Sequence, residues 1–165
     1  MKRAIRAGVQ TIEHGTYLDE EAIALMKQHG TWLVPTISAG LFVAEKSKIP
    51  GFFPEVVRVK AATIGPLMQG MFARAYKAGV KIAFGTDQGV APHGENAREF
   101  EYMVQAGMPP LETIRAATLN GASHTWLFAM NISSRVVAVQ RGWMPPLVET
   151  RHWPPGPGNG RTYTS

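Results

Sequence analysis

One unit occurs twice in this chain and limits what it can fold into. A helix-like segment ends on an Ala-Gly pair, a short apolar run follows, and the run closes on a residue able to bind metal or move a proton. The first copy opens at Ala7-Gly8-Val9 and runs through Gln10-Thr11-Ile12 to Glu13-His14-Gly15. The second opens at Ala78-Gly79-Val80 and runs through Lys81-Ile82-Ala83-Phe84 to Gly85-Thr86-Asp87. Each glycine suits a helix C-terminus, and the apolar runs read as strands at residues 9–13 and 81–87. Strands that alternate with helices pair in parallel through right-handed crossovers. The pattern predicts an α/β fold with two strand ends presenting ligand-type side chains on one rim, as at the mouth of a βα barrel.

The segments between the two copies fill in the unit. Asp19 is placed to cap a helix whose first turn carries Glu20 and Glu21, and Ala22, Leu25, Met26 and His29 follow at helical spacing until Gly30. Residues 31–38 read as a middle strand, with Pro35 late in the run. Residues 39–53 read as a long connection. A helix then starts at Pro54, and Gly65-Pro66 is expected to break or kink it. Its Met68, Met71, Phe72 and Ala75 read as core packing. Two further helices are expected near 95–106 and 110–119, the second started by Pro109-Pro110. After about Gly121 neither period persists. Residues 136–139 could pair as a short strand, and the last twenty residues are expected to be poorly ordered.

Composition narrows the functional classes. A chain of 165 residues with 45% hydrophobic and 18% charged residues is long and apolar enough for one globular core. The net charge of +5 comes from scattered Lys and Arg with no basic stripe interleaved with aromatics, so no nucleic-acid partner is expected. With no cysteine, disulfides and thiolate metal sites are excluded, which fits a reducing, cytoplasmic location. The basic N-terminus lacks the apolar core of a signal peptide, and no run is long enough for a membrane span. No Gly-rich dinucleotide or P-loop motif and no nucleophile elbow occurs, so hydride transfer, phosphoryl transfer and serine hydrolysis lose support.

Four side chains are candidates for chemistry. His14 can offer a neutral imidazole to a divalent metal, or serve as a structural histidine. Asp87 can ligate a metal or accept a proton from a reacting water, or be a capping carboxylate. His93, between Pro92 and Gly94, can face a substrate or be a solvated loop residue. Glu13 alternates with His14 in an extended strand, so only one of them can address a barrel interior. Thr36 and Ser38 close the middle run and could line the same mouth. Asn96 is a candidate N-cap, and His29, His124 and His152 are assigned surface roles.

The order Ile12-Glu13-His14-Gly15, Leu33-Val34-Pro35-Thr36 and Phe84-Gly85-Thr86-Asp87 resembles the last three strands of the metal-dependent amidohydrolase superfamily. Gly89-Val90, Pro92-His93-Gly94, Asn96-Ala97 and Arg115-Ala116-Ala117-Thr118-Leu119-Asn120 extend the match, closest to the imidazolonepropionase and Xaa-Pro dipeptidase (prolidase-like) branch. The resemblance covers residues 1–122. It implies part of a (β/α)8 TIM barrel, strands six to eight with their helices, followed by an atypical tail over 123–165. It further implies one or two divalent metals, usually zinc, at the strand ends, where a metal-activated water attacks a C–N bond of an amide, cyclic amide or dipeptide-like substrate. Within that resemblance His14 matches the sixth-strand metal ligand, or a contact to the metal-bound substrate oxygen. Asp87 matches the eighth-strand aspartate that binds metal and shuttles a proton, and His93 matches a loop histidine near the substrate.

The same comparison shows departures. The family's HxH pair, fourth-strand lysine and fifth-strand histidine have no counterpart, because the chain begins just before the sixth strand. A missing N-terminal barrel half is therefore expected, and the first and last strands should expose edges. The Gly-Lys-x-Ala-Asp-Leu-like motif that usually follows is absent, and the loss of pattern after Asn120 reads as a shift of reading frame or a gene-model artefact. Two functions follow: a fragment of a metal-dependent amidohydrolase, or a non-catalytic remnant or docking subunit that lacks the remaining ligands.

Overall fold

Residues 1–123 are described by the computed structural model. They form α1 (Lys2–Arg6), β1 (Thr11–Glu13), α2 (Glu20–His29), β2 (Trp32–Val34), α3 (Ile37–Lys46), α4 (Glu55–Lys77), β3 (Lys81–Ile82), α5 (Arg98–Gln105) and α6 (Pro110–Arg115). A π-helical turn over Ala116–Asn120 continues α6. The expectations for residues 136–139 and for the tail lie outside the described residues. No described helix is long and apolar enough to cross a membrane.

The three strands make one parallel sheet in the order β1-β2-β3. Ile12, Leu33 and Ile82 stand side by side in the register and join Ala22, Met26, Met71, Phe72 and Ala75 in the buried core. That face therefore packs against the crossover helices, as period-two alternation requires. The strands are shorter than their apolar runs. β2 stops at Val34, so Pro35 never has to enter the ladder, and Thr36 and Ser38 lie beyond the strand rather than in it.

Local signals account for α2. Asp19 accepts the Ala22 amide at 2.9 Å, and Gly30 ends the helix at φ 69°, donating its amide to the Met26 carbonyl. Pro110 opens α6 as expected.

Two readings of the sequence are corrected. Residues 39–53 do not form one long connection, because α3 occupies Ile37–Lys46. Gly65-Pro66 does not break α4, which runs unbroken through Pro66. Pro66 and Ala62 are both exposed, so the backbone bond that proline cannot make lies on the solvent side of α4. Gly65 serves a different purpose. A Cβ there would lie closer than 3.0 Å to the Gly40 carbonyl oxygen and the Ala44 Cβ, so α3 and α4 cross backbone to backbone at this point.

The outer edge of β3 is also less bare than expected. The Ile82 carbonyl accepts from Asn120 Nδ2 at 2.9 Å, and the Phe84 amide donates to the Ala116 carbonyl at 3.2 Å. The turn after α6 supplies this edge with a side-chain and a main-chain partner.

Candidate active site

All three strands end on the same side, as parallel pairing requires, and each is followed by a residue in left-handed backbone conformation. These are His14 (φ 62°) after β1, Thr36 (φ 49°) after β2 and Asp87 (φ 50°) after β3. No other non-glycine residue among the described residues has positive φ. Such a conformation costs about 1–3 kcal/mol per residue and persists where surroundings over-determine it, commonly at functional sites. For Thr36, branched at Cβ, it is a true outlier.

The turn at His14 re-aims its ring. Strict alternation would place His14 on the helix side with Ile12. The strand instead ends at Glu13, the His14 amide donates to the Val34 carbonyl at 2.9 Å, and the exposed imidazole pairs Nδ1 with Thr36 Oγ1 at 2.6 Å. Alternation along β1 therefore does not decide between Glu13 and His14.

Thr36 and Ser38 connect the strand ends. Thr36 Oγ1 meets His14, while Ser38 Oγ donates to the Thr86 carbonyl at 3.3 Å, next to Asp87. Asn96 does not cap α5, whose N-cap position is Ala97. Its Nδ2 donates to Thr86 Oγ1 at 3.3 Å and its Oδ1 accepts the Gly94 amide at 3.2 Å, which ties the His93 loop to the end of β3. Gln88 Nε2 donates to the Pro92 carbonyl within the same loop. Asp87 and His93 are exposed, as is His29.

β1 and β3 lie two strand spacings apart, about 10 Å at the usual ~4.8 Å per spacing, with β2 between them. Thr36 is the bridge on the His14 side and Ser38 on the Asp87 side. An imidazole and a carboxylate are the donor types a zinc-like ion takes, but a catalytic zinc typically needs three protein donors. Among the described residues no three His, Asp or Glu side chains converge on one point. The donor set fits a metal in kind and falls short in number.

One residue of the site was not anticipated. Glu99, on α5, is fully buried, and its Oε1 and Oε2 accept the Ile37 amide at 2.8 Å and the Ser38 amide at 2.7 Å. Those are orphan donors of the first turn of α3, which has no side-chain cap of its own. Burial pushes the Glu99 carboxyl above its ordinary range, while the hydrogen bonds from Ser38 and Ile37 act in the opposite direction. The available signal was a glutamate four residues before Met103 on the core face of an amphipathic helix.

The sequence profile of the amidohydrolase family matches residues 1–131. Ochratoxinase of Aspergillus niger is 40% identical over 119 residues, which are 71% of this chain and 24% of that protein. The crystal structure of a Xaa-Pro dipeptidase with methionine bound in its active site is 60% identical, with a TM-score of 0.74 over 74% of this chain and 30% of that one. A prolidase complexed with N-methylphosphonate-L-proline is 32% identical, with a TM-score of 0.62 over 74% and 29% of the two chains. This chain thus spans less than a third of the length of each of these relatives. The three-stranded parallel sheet with its helices is part of a TIM-barrel-type α/β fold, and the chain belongs to the amidohydrolase family.

Proposed function

We propose that β1, β2 and β3 are strands six, seven and eight of a metal-dependent amidohydrolase barrel, and that the complete barrel hydrolyses a C–N bond in a small dipeptide-like substrate. The observation that carries this reading is the left-handed residue in the segment that follows each strand, with an imidazole and a carboxylate after the two outer ones. His14 and Asp87 are two contributors to a divalent-metal site, zinc by their chemistry. The other donors come from the part of the barrel outside this chain. His14 Nδ1 is paired with Thr36 Oγ1, and the tautomer that keeps its proton on Nδ1 leaves the Nε2 lone pair for a metal. Asp87 is the carboxylate that accepts a proton from the attacking water, and His93 faces the substrate from its loop. The higher identity to a Xaa-Pro dipeptidase than to ochratoxinase favours an Xaa-Pro dipeptide as the substrate class.

A second reading, a non-catalytic docking subunit, is supported by the shortage of donors among the described residues. Zinc binding by equilibrium dialysis and hydrolysis of Met-Pro distinguish the two. Both are measured on the chain alone and on the chain joined to the N-terminal barrel portion of the 60%-identical dipeptidase. The enzyme reading expects zinc and turnover in the joined protein, both lost on His14→Ala. A joined protein that folds and binds zinc without hydrolysing dipeptides or other amides favours the docking reading.

A further inference from the structure

A buried carboxylate joins the two outer strand ends. Glu99 is fully excluded from water and spends both oxygens on consecutive amides, Ile37 and Ser38, which lie 62 and 61 residues away in sequence. Those amides immediately follow Thr36, the left-handed residue that holds the His14 ring. Ser38 itself reaches the Thr86 carbonyl, beside Asp87. α5 is seated under the end of β3 by the stack of Phe100 on Phe84, with ring centroids 4.3 Å apart. The connection therefore runs from α5 through one carboxylate into the turn after β2, and from that turn to both β1 and β3.

We propose that Glu99 is a positioning residue: by clamping the Ile37 and Ser38 amides it enforces the left-handed turn at Thr36, and through Thr36 and Ser38 it sets where the His14 imidazole and the Thr86–Asp87 segment lie. The proposal rests on the reading of His14 and Asp87 as site residues, but its test reads the imidazole rather than turnover.

Three physical points support it. A strained backbone persists only when neighbours over-determine it, and Thr36 is fixed from both sides, by His14 at its side chain and by Glu99 at the next two amides. A helix start could be capped by an ordinary local Ser, Thr, Asp or Asn. A buried charged residue costs desolvation that such a cap avoids, so tethering to α5 is what Glu99 adds. Finally, both amides are donors, and the carboxylate meets them with one oxygen each. Glutamine would turn an NH2 group toward one of them and leave a buried donor unpaired.

The experiment uses the full chain with ¹⁵N-labelled histidine, and His14 is assigned by His14→Asn. Ring-nitrogen spectra of the wild type are expected to show His14 fixed in one tautomer by its bond to Thr36 Oγ1, whereas an unpaired imidazole gives a mixture of the two. Glu99→Gln is expected to shift His14 to that mixture while the amide resonances of Ile12 and Leu33 keep their positions. Thr36→Val, which removes the hydroxyl directly, should give the same His14 spectrum, and the double variant should add nothing. Glu99→Asp, shorter but with two acceptors, should recover part of the wild-type signal. A His14 signal unchanged in folded Glu99→Gln overturns the proposal, because a purely structural clamp leaves the tautomer alone.

The same link is readable without a variant, should Glu99→Gln fail to fold. On warming the wild type below its unfolding midpoint, hydrogen-exchange protection of Ile37 and Ser38 and the fixed His14 tautomer should disappear together. Loss of one while the other persists overturns the proposal. An inactive barrel with a Glu99-dependent His14 tautomer refutes the enzymatic reading alone, so the two failures are distinguishable.

Discussion

Gly65→Ala places a methyl group where two helix backbones touch. Its Cβ would come closer than 3.0 Å to the Gly40 carbonyl oxygen and the Ala44 Cβ, whereas ordinary contacts lie at 3.4–4 Å. One obstacle is backbone and the other is a methyl with no torsion to relieve it, so α3 and α4 must part by at least about 0.5 Å in an interior packed like a crystal. Overpacking of this kind costs about 1–3 kcal/mol, and backbone involvement puts it near about 3. The better helix propensity of alanine returns about 1 kcal/mol, leaving a net loss of about 2. Gly70 in the same helix is an internal control, since nothing lies within 4 Å of a Cβ there. Gly70→Ala should gain about 0.8–1 kcal/mol from propensity alone. The two variants thus differ by about 3 kcal/mol, or about 1.5 M in urea midpoint for a slope near 2 kcal/mol/M. Urea unfolding followed by far-UV circular dichroism measures this. Equal midpoints for the two variants would show that α3 and α4 do not meet at Gly65 and would refute the crossing.

The stability of the wild type relative to Glu99→Gln should depend on pH with an unusual sign. Burial raises the folded carboxyl above its ordinary value of 4.5, so between 4.5 and that raised value the folded state binds more proton than the unfolded one. Stability is then greatest below 4.5 and falls as pH rises through the window. Urea midpoints of both proteins at pH 4 and pH 8 should show the wild-type advantage shrinking with pH, and an advantage that grows contradicts the assignment. Asp87→Asn should change stability by under about 0.5 kcal/mol, because asparagine also tolerates the left-handed conformation. In the joined barrel it should lower kcat by about 10²–10⁴, the usual contribution of a general base, and unchanged turnover removes Asp87 from the chemistry. Asn120→Leu should cost about 1–3 kcal/mol by leaving the Ile82 carbonyl without its partner. A neutral result by urea unfolding would mean that water replaces the amide at the β3 edge.

Local chemistry was legible in the sequence and long-range chemistry was not. Asp19, Gly30 and Pro110 act on their own helices within a few residues, and the helix they bound is the helix that forms. The apolar residues at matching depth in the strands, Ile12, Leu33 and Ile82, meet in the core as their spacing implies. α3 was missed because its features are weak locally. Gly40 sits inside it, no side chain of its own caps it, and its first amides are satisfied by Glu99. What holds α3 in place is its crossing with α4 and a carboxylate on α5, neither of which leaves a periodic mark. The candidate site divides in the same way. His14 and Asp87 announced themselves by residue type at the ends of apolar runs, whereas the left-handed turns that aim them left no sequence signal, least of all at Thr36.

Thr36 offers a way to separate strain from tether. Thr36→Gly and Thr36→Ala both remove the hydroxyl that meets His14 Nδ1 and the methyl buried beside it. They differ at Cβ, which alone makes a left-handed residue costly at φ 49°. In an ordinary extended or helical position glycine is the less stable choice by about 0.5–1 kcal/mol, because it has more freedom to lose on folding. At Thr36 the order should reverse, with glycine more stable than alanine by about 1 kcal/mol, read as a higher urea midpoint. The His14 ring spectra of the two variants should nevertheless coincide, since neither retains the hydroxyl. Alanine matching or exceeding glycine would mean that the turn after β2 relaxes once its tether is gone. The left-handed conformation would then be a consequence of the His14 bond rather than something the Glu99 clamp imposes. Glycine ahead of alanine with identical His14 spectra would place the strain in the backbone and the aim of the imidazole in one hydroxyl.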